Sequence, residues 1–302
     1  MLVICKTIIY GTSILFTGNL LRTTSVMDVL ALRFLISAVA FLLLAATKIV
    51  HINFRGKTIK YLLATAIFEP VLYFIFETAG LQYTATSLAG IISAMLPAMV
   101  VLFETIILKE RTSLLQKLLL LVSIGGVILV SVFTNANASG ESSSLFGIVL
   151  LLLAYASGAL FCVFSRKSSA DFSSIEITFF TTMLGAVSFN SINVVRHLAA
   201  GTISTYFAPL FDLKNLLGFL FLSILSSIIA TMMNNFALSR VQASSVTALG
   251  GIGTITSVIA GVLFNHEILY WYHIVGAVMI LTGAIGVNYL TQRRLEKEAA
   301  QQ

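Results

Sequence analysis

The chain has 302 residues, of which 58% are hydrophobic and only 10% are charged. In a soluble domain roughly a quarter of the residues are charged, so this composition excludes an ordinary soluble protein and indicates a chain immersed in lipid. The net charge of +6 does not point to nucleic acid, because the charges lie at the ends of apolar runs and form no continuous basic face. We therefore expect the lipid bilayer, and no nucleic acid, as a partner.

Ten apolar segments are each long enough for the roughly 20 residues that a bilayer span requires. The first lacks a small-residue cleavage site, so we expect it to be retained as a helix. The sequence predicts an all-α membrane protein with helices near residues 3–21, 26–47, 58–80, 84–108, 113–133, 145–164, 173–195, 214–237, 242–264 and 270–291.

Lysine and arginine indicate the orientation of these helices. With a cytoplasmic N-terminus, the inner loops and tails hold 14 of the 18 basic residues, Lys6 among them. The outer side then keeps four, namely Arg22, Arg33, Arg196 and Lys214. We therefore expect both termini in the cytoplasm of a bacterial cell, with the chain in its inner membrane.

The two halves of the chain resemble each other at a constant shift of 157 residues (267 − 110 = 157). The shift pairs Leu81 with Leu238, Ser87 with Ser244, Glu110 with Glu267 and Gly126 with Gly283. Because each half has an odd number of spans, the second half enters the membrane from the opposite side, as in many secondary transporters. We divide the chain into a first five-helix repeat (1–134), a polar extracytoplasmic loop (135–144), a second repeat (145–292) and a cytoplasmic tail (293–302).

Several stretches resemble the EamA family of the drug/metabolite transporter superfamily. YGTSILFTGNLL and LALRFLISA are similar to the opening of that family, with Tyr10-Gly11 where it usually has Trp-Gly, and with its Arg-Phe at Arg33-Phe34. Pro97 in the fourth helix and Glu110 after that helix also match. The resemblance covers nearly the whole chain and implies a ten-helix, inverted-repeat secondary transporter. It implies export of amino acids or related compounds, driven by a proton gradient and without a cofactor.

The stretch AIFEPVLYFIFETAG puts two carboxylates into the third helix. Glu69 lies about ten residues into it, roughly 15 Å deep at 1.5 Å per residue. A charge there costs on the order of 2.5–3.5 kcal/mol, so it should face a cavity or a partner. Glu69, Tyr73 and Glu77 step by four residues and share one side of the helix. Pro70 removes a backbone donor and crowds the carbonyl of Ala66, which predicts a kink.

We expect Glu69 to exchange a proton for a substrate amine, since a low dielectric disfavours the bare carboxylate. The alternative is a structural glutamate that is hydrogen-bonded to Tyr or Ser. Glu77 lies nearer the outer mouth, where it can contact water, and both roles stay open for it. We expect Glu104, near the inner interface, to be a structural partner of cytoplasmic basic residues. The shift of 157 maps Glu69 to Ser226 and leaves the acids in one half only.

The resemblance implies a central cavity lined by the first, third, fourth, sixth, eighth and ninth helices. Polar residues on them are further candidates for substrate binding, and each has a helix-to-helix hydrogen bond as its alternative role: Tyr10, Asn19, Tyr155 and Asn234. We expect structural roles for Arg33, which has Asp28 as a nearby partner, and for Gly126 and Gly283, which suit close helix packing. The Pro97 position of the second half is Thr254 (97 + 157), which predicts a straighter ninth helix.

Several other functions compete with metabolite export. A sugar-phosphate or nucleotide-sugar exchanger needs buried basic groups, whereas the helix interiors are expected to hold acids. Drug efflux stays open. An enzyme is not expected, because the four histidines lie in loops or at helix ends and no metal-ligand spacing occurs. A non-transporting scaffold is the last alternative. The oligomeric state, monomer or homodimer, is open.

Overall fold

The structure is a computed structural model that describes residues 1–50, 52–108, 113–136, 145–247 and 249–299. Within these residues, ten helices are long and apolar enough to cross a membrane, which confirms the predicted class. We number them α1 to α10: Leu2–Leu20, Val26–Ala46, Lys60–Leu81, Thr86–Ile107, Leu114–Thr134, Leu145–Ser168, Ser174–Ala199, Leu213–Arg240, Ala243–Asn265 and Trp271–Arg294.

Three helices run beyond these spans, with α4 ending at Leu108, α5 at Ala136 and α10 at Ala299. Most of the predicted polar loop, from residue 137 to residue 144, lies outside the described residues, as does Glu110. Large apolar side chains cover the outside of the bundle, for example Leu43, Ile106 and Leu121, which are each more than 60% exposed. Such a surface fits hydrocarbon as its solvent.

Helix α3 is interrupted as predicted. Its α-helical parts, Lys60–Ala66 and Tyr73–Leu81, are joined by a π-helical segment, Ile67–Leu72. Inside that segment the backbone of Glu69 is extended, with φ −144° and ψ 120°. Because a residue before proline is driven out of the helical region, Pro70 accounts for this break. The break puts Glu69 at a kink rather than in a regular turn.

Helix α4 is also divided, into Thr86–Ser93 and Leu96–Leu108. Pro97 therefore lies in the first turn of a new segment, where its missing N–H has no helical partner to lose, and not in the middle of a helix. In α9, Ala243–Thr247 and Gly250–Asn265 are helical, and the connection between them passes through position 248, which lies outside the described residues. Thr254 lies inside Gly250–Asn265, and the expectation of a straighter ninth helix stays a prediction.

The packing of the helices is consistent with two related halves. Helix α1 packs on α8 and α9, and its counterpart α6 packs on α3 and α4. The pairs α2–α7, α4–α9 and α5–α10 each join a helix to its own counterpart. Helix α8 has a π-helical segment, Phe221–Ala230, that contains the counterpart of Ile67–Leu72 (67 + 157 = 224; 72 + 157 = 229). These features support the inverted repeat, which stays a prediction.

Three carboxylates tie helix ends together across the bundle. Asp28 at the start of α2 bonds Arg196 at the end of α7, with Oδ1 and Nη2 2.7 Å apart. Glu176 at the start of α7 bonds Lys57 after α2, with Oε2 and Nζ 2.7 Å apart. Glu267, after α9, accepts backbone N–H groups at the start of α4. Each tie joins ends that the predicted topology places on one side of the membrane.

Helices α5 and α10 pack closely through glycines, as predicted. A Cβ added to Gly126 would lie 2.8 Å from the carbonyl oxygen of Gly276, which leaves no room for a side chain. Gly283 contacts Ser123 and Leu119 in the same way. The Ser123 hydroxyl donates to the Ile280 carbonyl at 3.0 Å and joins the two helices at this crossing.

Candidate functional site

A central cavity of about 110 Å³ lies between the two halves. This is several times the ~10–15 Å³ that one water needs. Its lining comes from α1, α3, α4, α6, α8 and α9, the six helices that the family resemblance implied.

The acidic side of α3 faces this cavity. Glu69, Tyr73 and Glu77 all line it, so the prediction that they share one inward side is confirmed. The Tyr73 hydroxyl donates to Oε1 of Glu77 at 2.7 Å, one helical turn away. Glu77 is only 4% exposed, so its side chain lies in the cavity wall and does not extend to the outer surface. The hydrogen bond from Tyr73 holds the Glu77 side chain in the cavity wall.

Lys6 is a cavity residue that the sequence reasoning missed. It was counted with the inner-loop basic residues, but it lies in α1, is 5% exposed and lines the cavity. Its ammonium donates to Oδ1 of Asn234 on α8. Glu69 lines the same cavity, so the site brings together an ammonium and a carboxylate.

Arg33 is also inside the bundle and not at the outer face. It is 1% exposed, and it donates to the hydroxyls of Ser227 at 2.8 Å and Ser226 at 3.0 Å. Its guanidinium carbon lies 4.2 Å from the centre of the Phe74 ring, a cation–π contact. The predicted pair with Asp28 is wrong, since five residues turn a helix by about 500° and put the two side chains on different faces.

The burial of Lys6 and Arg33 changes the count of basic residues on the two sides of the membrane. Removing Lys6 and Arg33 from the loops leaves 13 basic residues on the predicted inner side (14 − 1) and three on the outer side (4 − 1), so the predicted orientation is unchanged. The expectation that the helix interiors hold acids without buried basic groups is wrong.

The remaining candidates divide between the cavity and its surroundings. Tyr10 lines the cavity and donates to the Thr231 hydroxyl at 3.1 Å. Tyr155 lines it and donates to the Ala89 carbonyl at 3.0 Å. In the described part of the chain, Asn19 is not among the lining residues.

Two further expectations concern the second-half counterparts of the glutamates, in the cavity wall, and Glu104, near the predicted cytoplasmic side. The counterparts of Glu69 and Glu77, which are Ser226 and Asn234, line the same cavity, so the two halves present matching positions to it. Glu104 is 7% exposed, and the basic residues expected beside it, Lys109 among them, lie outside the described residues. Among the residues that the structure describes, no group of three or more His, Cys, Asp or Glu side chains is placed to hold a metal ion.

Comparison with known proteins identifies the family to which the chain belongs. A sequence profile of the EamA-like transporter family matches residues 1–132 and 145–289. The chain belongs to the EamA-like transporter family. This EamA-like protein is 36% identical over 289 residues to the uncharacterized transporter YcxC of Bacillus subtilis (strain 168), across 96% of this chain and 92% of that one.

More distant similarities agree. An uncharacterized transporter of Archaeoglobus fulgidus is 22% identical over 264 residues, which cover 87% of this chain and 88% of that protein. A solved structure titled "Crystal structure of protein" superposes with a TM-score of 0.60 at 18% identity, over 96% of this chain and 98% of that one, and shows the fold alone. With its ten spans, this EamA-like protein is a multi-pass integral membrane transporter.

Proposed function

We propose that this protein is a secondary active transporter that exports a small organic metabolite, such as an amino acid or amine, in exchange for protons. The observation that carries this proposal is the cavity between the two halves, with Glu69 at the kink of α3 on its wall. A cavity at the interface of two repeats, beside an interrupted helix, is where transporters of this construction bind substrate.

Glu69 is the group that we assign to coupling. A carboxylate inside the membrane is costly unless it is paired or protonated. An ammonium group and a proton compete for the same two oxygen atoms, so binding one releases the other. Alternating access then converts this competition into exchange, because the cavity opens to one side of the membrane at a time.

We also propose the direction and the membrane. The 13 to 3 distribution of basic residues supports cytoplasmic termini, and we place the protein in a bacterial inner membrane. Export rests on the family resemblance alone.

The buried basic residues favour one rival, a sugar-phosphate or nucleotide-sugar exchanger. Lys6 lines the cavity and supplies positive charge of the kind that such a site needs, and the buried Arg33 donates to Ser226, a residue of the cavity wall. Two carboxylates, Glu69 and Glu77, line the same cavity, however, and would repel a phosphate. We therefore favour a substrate with a positive group, and a phosphorylated sugar belongs in the screen as a direct comparison.

The test is a thermal-unfolding screen of the purified protein with amino acids, amines, small aromatic compounds and glucose 6-phosphate, at pH 6 and pH 8. A ligand of the native state raises Tm by mass action. We expect a stabilising compound with an amino group to act more strongly at pH 8, where fewer protons compete. Glu69→Gln should remove this pH dependence, while the control Asp171→Asn, at an exposed position, should keep it. Equal stabilisation of wild type and Glu69→Gln at both pH values would assign Glu69 a structural role.

A further inference from the structure

We propose that Lys6 is a specificity-determining residue that binds the carboxylate of a zwitterionic substrate while Glu69 binds its ammonium. This inference rests on the proposed function and deepens it, because it selects amino acids over simple amines. It comes from the placement of Lys6 inside the bundle, in the same cavity wall as Glu69.

The ammonium of Lys6 is built into this wall as a donor. It is carried by α1, is almost fully buried and is oriented by the side-chain amide of Asn234 on α8. An ammonium has three donors, and this hydrogen bond uses one of them. Since Lys6 lines the cavity, an anionic group there has access to a strong, charge-assisted hydrogen bond.

The charges of the cavity discriminate between ligands by sign. A zwitterion pairs its carboxylate with Lys6 and its ammonium with Glu69, and it adds no net charge to a region of low dielectric. A simple amine pairs with Glu69 but puts a second positive charge near Lys6. A simple carboxylic acid pairs with Lys6 but is repelled by Glu69 and Glu77. An unpaired or like-charged group in such surroundings is costly, so only the zwitterion is fully matched.

The walls suit the remaining part of such a molecule. Aromatic rings from three helices line the cavity, and apolar walls with a few polar groups are usual for small organic ligands: Tyr10, Tyr73, Phe74, Tyr155 and Phe161. Gly158 lies against the Tyr73 ring, and because glycine has no side chain it does not crowd that ring.

The experiment compares three molecules that share one skeleton: L-phenylalanine, 2-phenylethylamine and 3-phenylpropionate. The leucine and alanine sets, each with its matched amine and acid, run alongside. Dissociation constants come from titrated thermal unfolding of the full chain at pH 8. The variants are Lys6→Met and Lys6→Gln, which remove the charge, and Lys6→Arg, which keeps it. Lys60→Met, at an exposed position, is the matched control.

We expect wild type and Lys60→Met to bind the zwitterion of at least one set about tenfold or more tighter than its amine or acid. Lys6→Met should lose about tenfold or more of the zwitterion affinity and hold the amine within about threefold. Lys6→Arg should retain most of the zwitterion preference. A purely structural lysine would change Tm without changing the ratio between the two ligands.

Three results would overturn the assignment, each in a different way. An unchanged zwitterion-to-amine ratio in Lys6→Met or Lys6→Gln removes the role of Lys6 and leaves the proposed function standing. If neither variant folds, wild type alone decides: equal affinity for the amine and the zwitterion would also rule out the role of Lys6 and leave the proposed function standing. If none of the nine compounds changes the unfolding of wild type, this inference fails, and the wider screen of the proposed function decides whether that function fails with it.

Discussion

At the scale of single residues, the hydrogen bond between Tyr73 and Glu77 can be tested by a single substitution. The carboxylate is buried at 4% exposure, and the tyrosine hydroxyl reaches Oε1 at 2.7 Å. When a buried acceptor loses such a donor the protein loses stability, because a hydrogen bond in a region of low dielectric is stronger than one in water. The bond therefore has a measurable effect on stability whatever the substrate.

We expect Tyr73→Phe to lower the free energy of unfolding by about 1–3 kcal/mol, because the buried carboxyl group of Glu77 loses a hydrogen-bond donor. The measurement is Tm by thermal unfolding in detergent. Tyr83→Phe removes the same hydroxyl from a side chain that is 44% exposed and should change Tm little. Equal effects of the two substitutions would contradict this account of Glu77.

The sequence predicts the acidic side of the cavity and misses its basic side, for a physical reason. Four-residue spacing places Glu69, Tyr73 and Glu77 on one side of a helix, and that is a local property. Lys6 lies inside the predicted first span, and this position was the one sign in the sequence that its side chain is inside the bundle. A single lysine near the end of a span is usually an interfacial anchor. Only the packing of α1 against α8 brings it to Asn234 and into the cavity.

At the scale of helices, the π-helical segments of α3 and α8 have different causes. In α3 the cause is local, since Pro70 forces the residue before it out of the helix. The π-helical part of α8 contains no proline. There the hydroxyl of Ser223 donates to the Arg33 carbonyl at 2.8 Å. The hydroxyl oxygens of Ser226 and Ser227 accept hydrogen bonds from the Arg33 guanidinium. A tertiary contact of this kind cannot be predicted from the sequence of α8 alone.

Pro70→Ala tests the local cause. With alanine at position 70, Glu69 can return to helical backbone angles, and α3 regains a backbone donor. We expect the ligands of wild type to bind about tenfold or more weaker, because Glu69 leaves its place in the wall, at a protein stability that is unchanged or higher. Titrated thermal unfolding reports both quantities.

The matched control for this substitution is Pro97→Ala. Pro97 lies in the first turn of its helical segment, where its missing N–H breaks no helical hydrogen bond, so this variant should bind like wild type. Wild-type affinity in Pro70→Ala would show that the position of Glu69 does not depend on the kink.

At the scale of the whole molecule, α2 and α7 are joined at both ends. The Asp28–Arg196 pair closes one end, and the Glu176–Lys57 pair closes the other. Both carboxylates follow a capping serine by three residues, Ser25 and Ser173. Because both ties are present in one structure, we expect this helix pair to move as a unit while the helices around the cavity rearrange.

The predicted orientation is testable in intact cells. We expect a cysteine at Ser139 to react with a membrane-impermeant maleimide, and a cysteine at Gln301 to react only after permeabilisation, because positive residues stay in the cytoplasm. Cys5 and Cys162 are replaced by alanine in both variants. The reverse labelling pattern would invert the topology and move the predicted cytoplasmic side to the outside.

The signs of four charged side chains inside the bundle also have an electrical consequence for the proposed exchange. When Lys6, Arg33, Glu69 and Glu77 are all ionised, these four groups sum to zero, and a bound zwitterion leaves the sum at zero. The membrane potential then does no work on the loaded carrier. Once Glu69 holds a proton, the sum is +1, and an interior-negative potential of 100 mV drives that form inward by about 2.3 kcal/mol. If the proposed exchange is one-for-one, this work would sustain a roughly fifty-fold outward gradient of substrate, even at equal pH on the two sides.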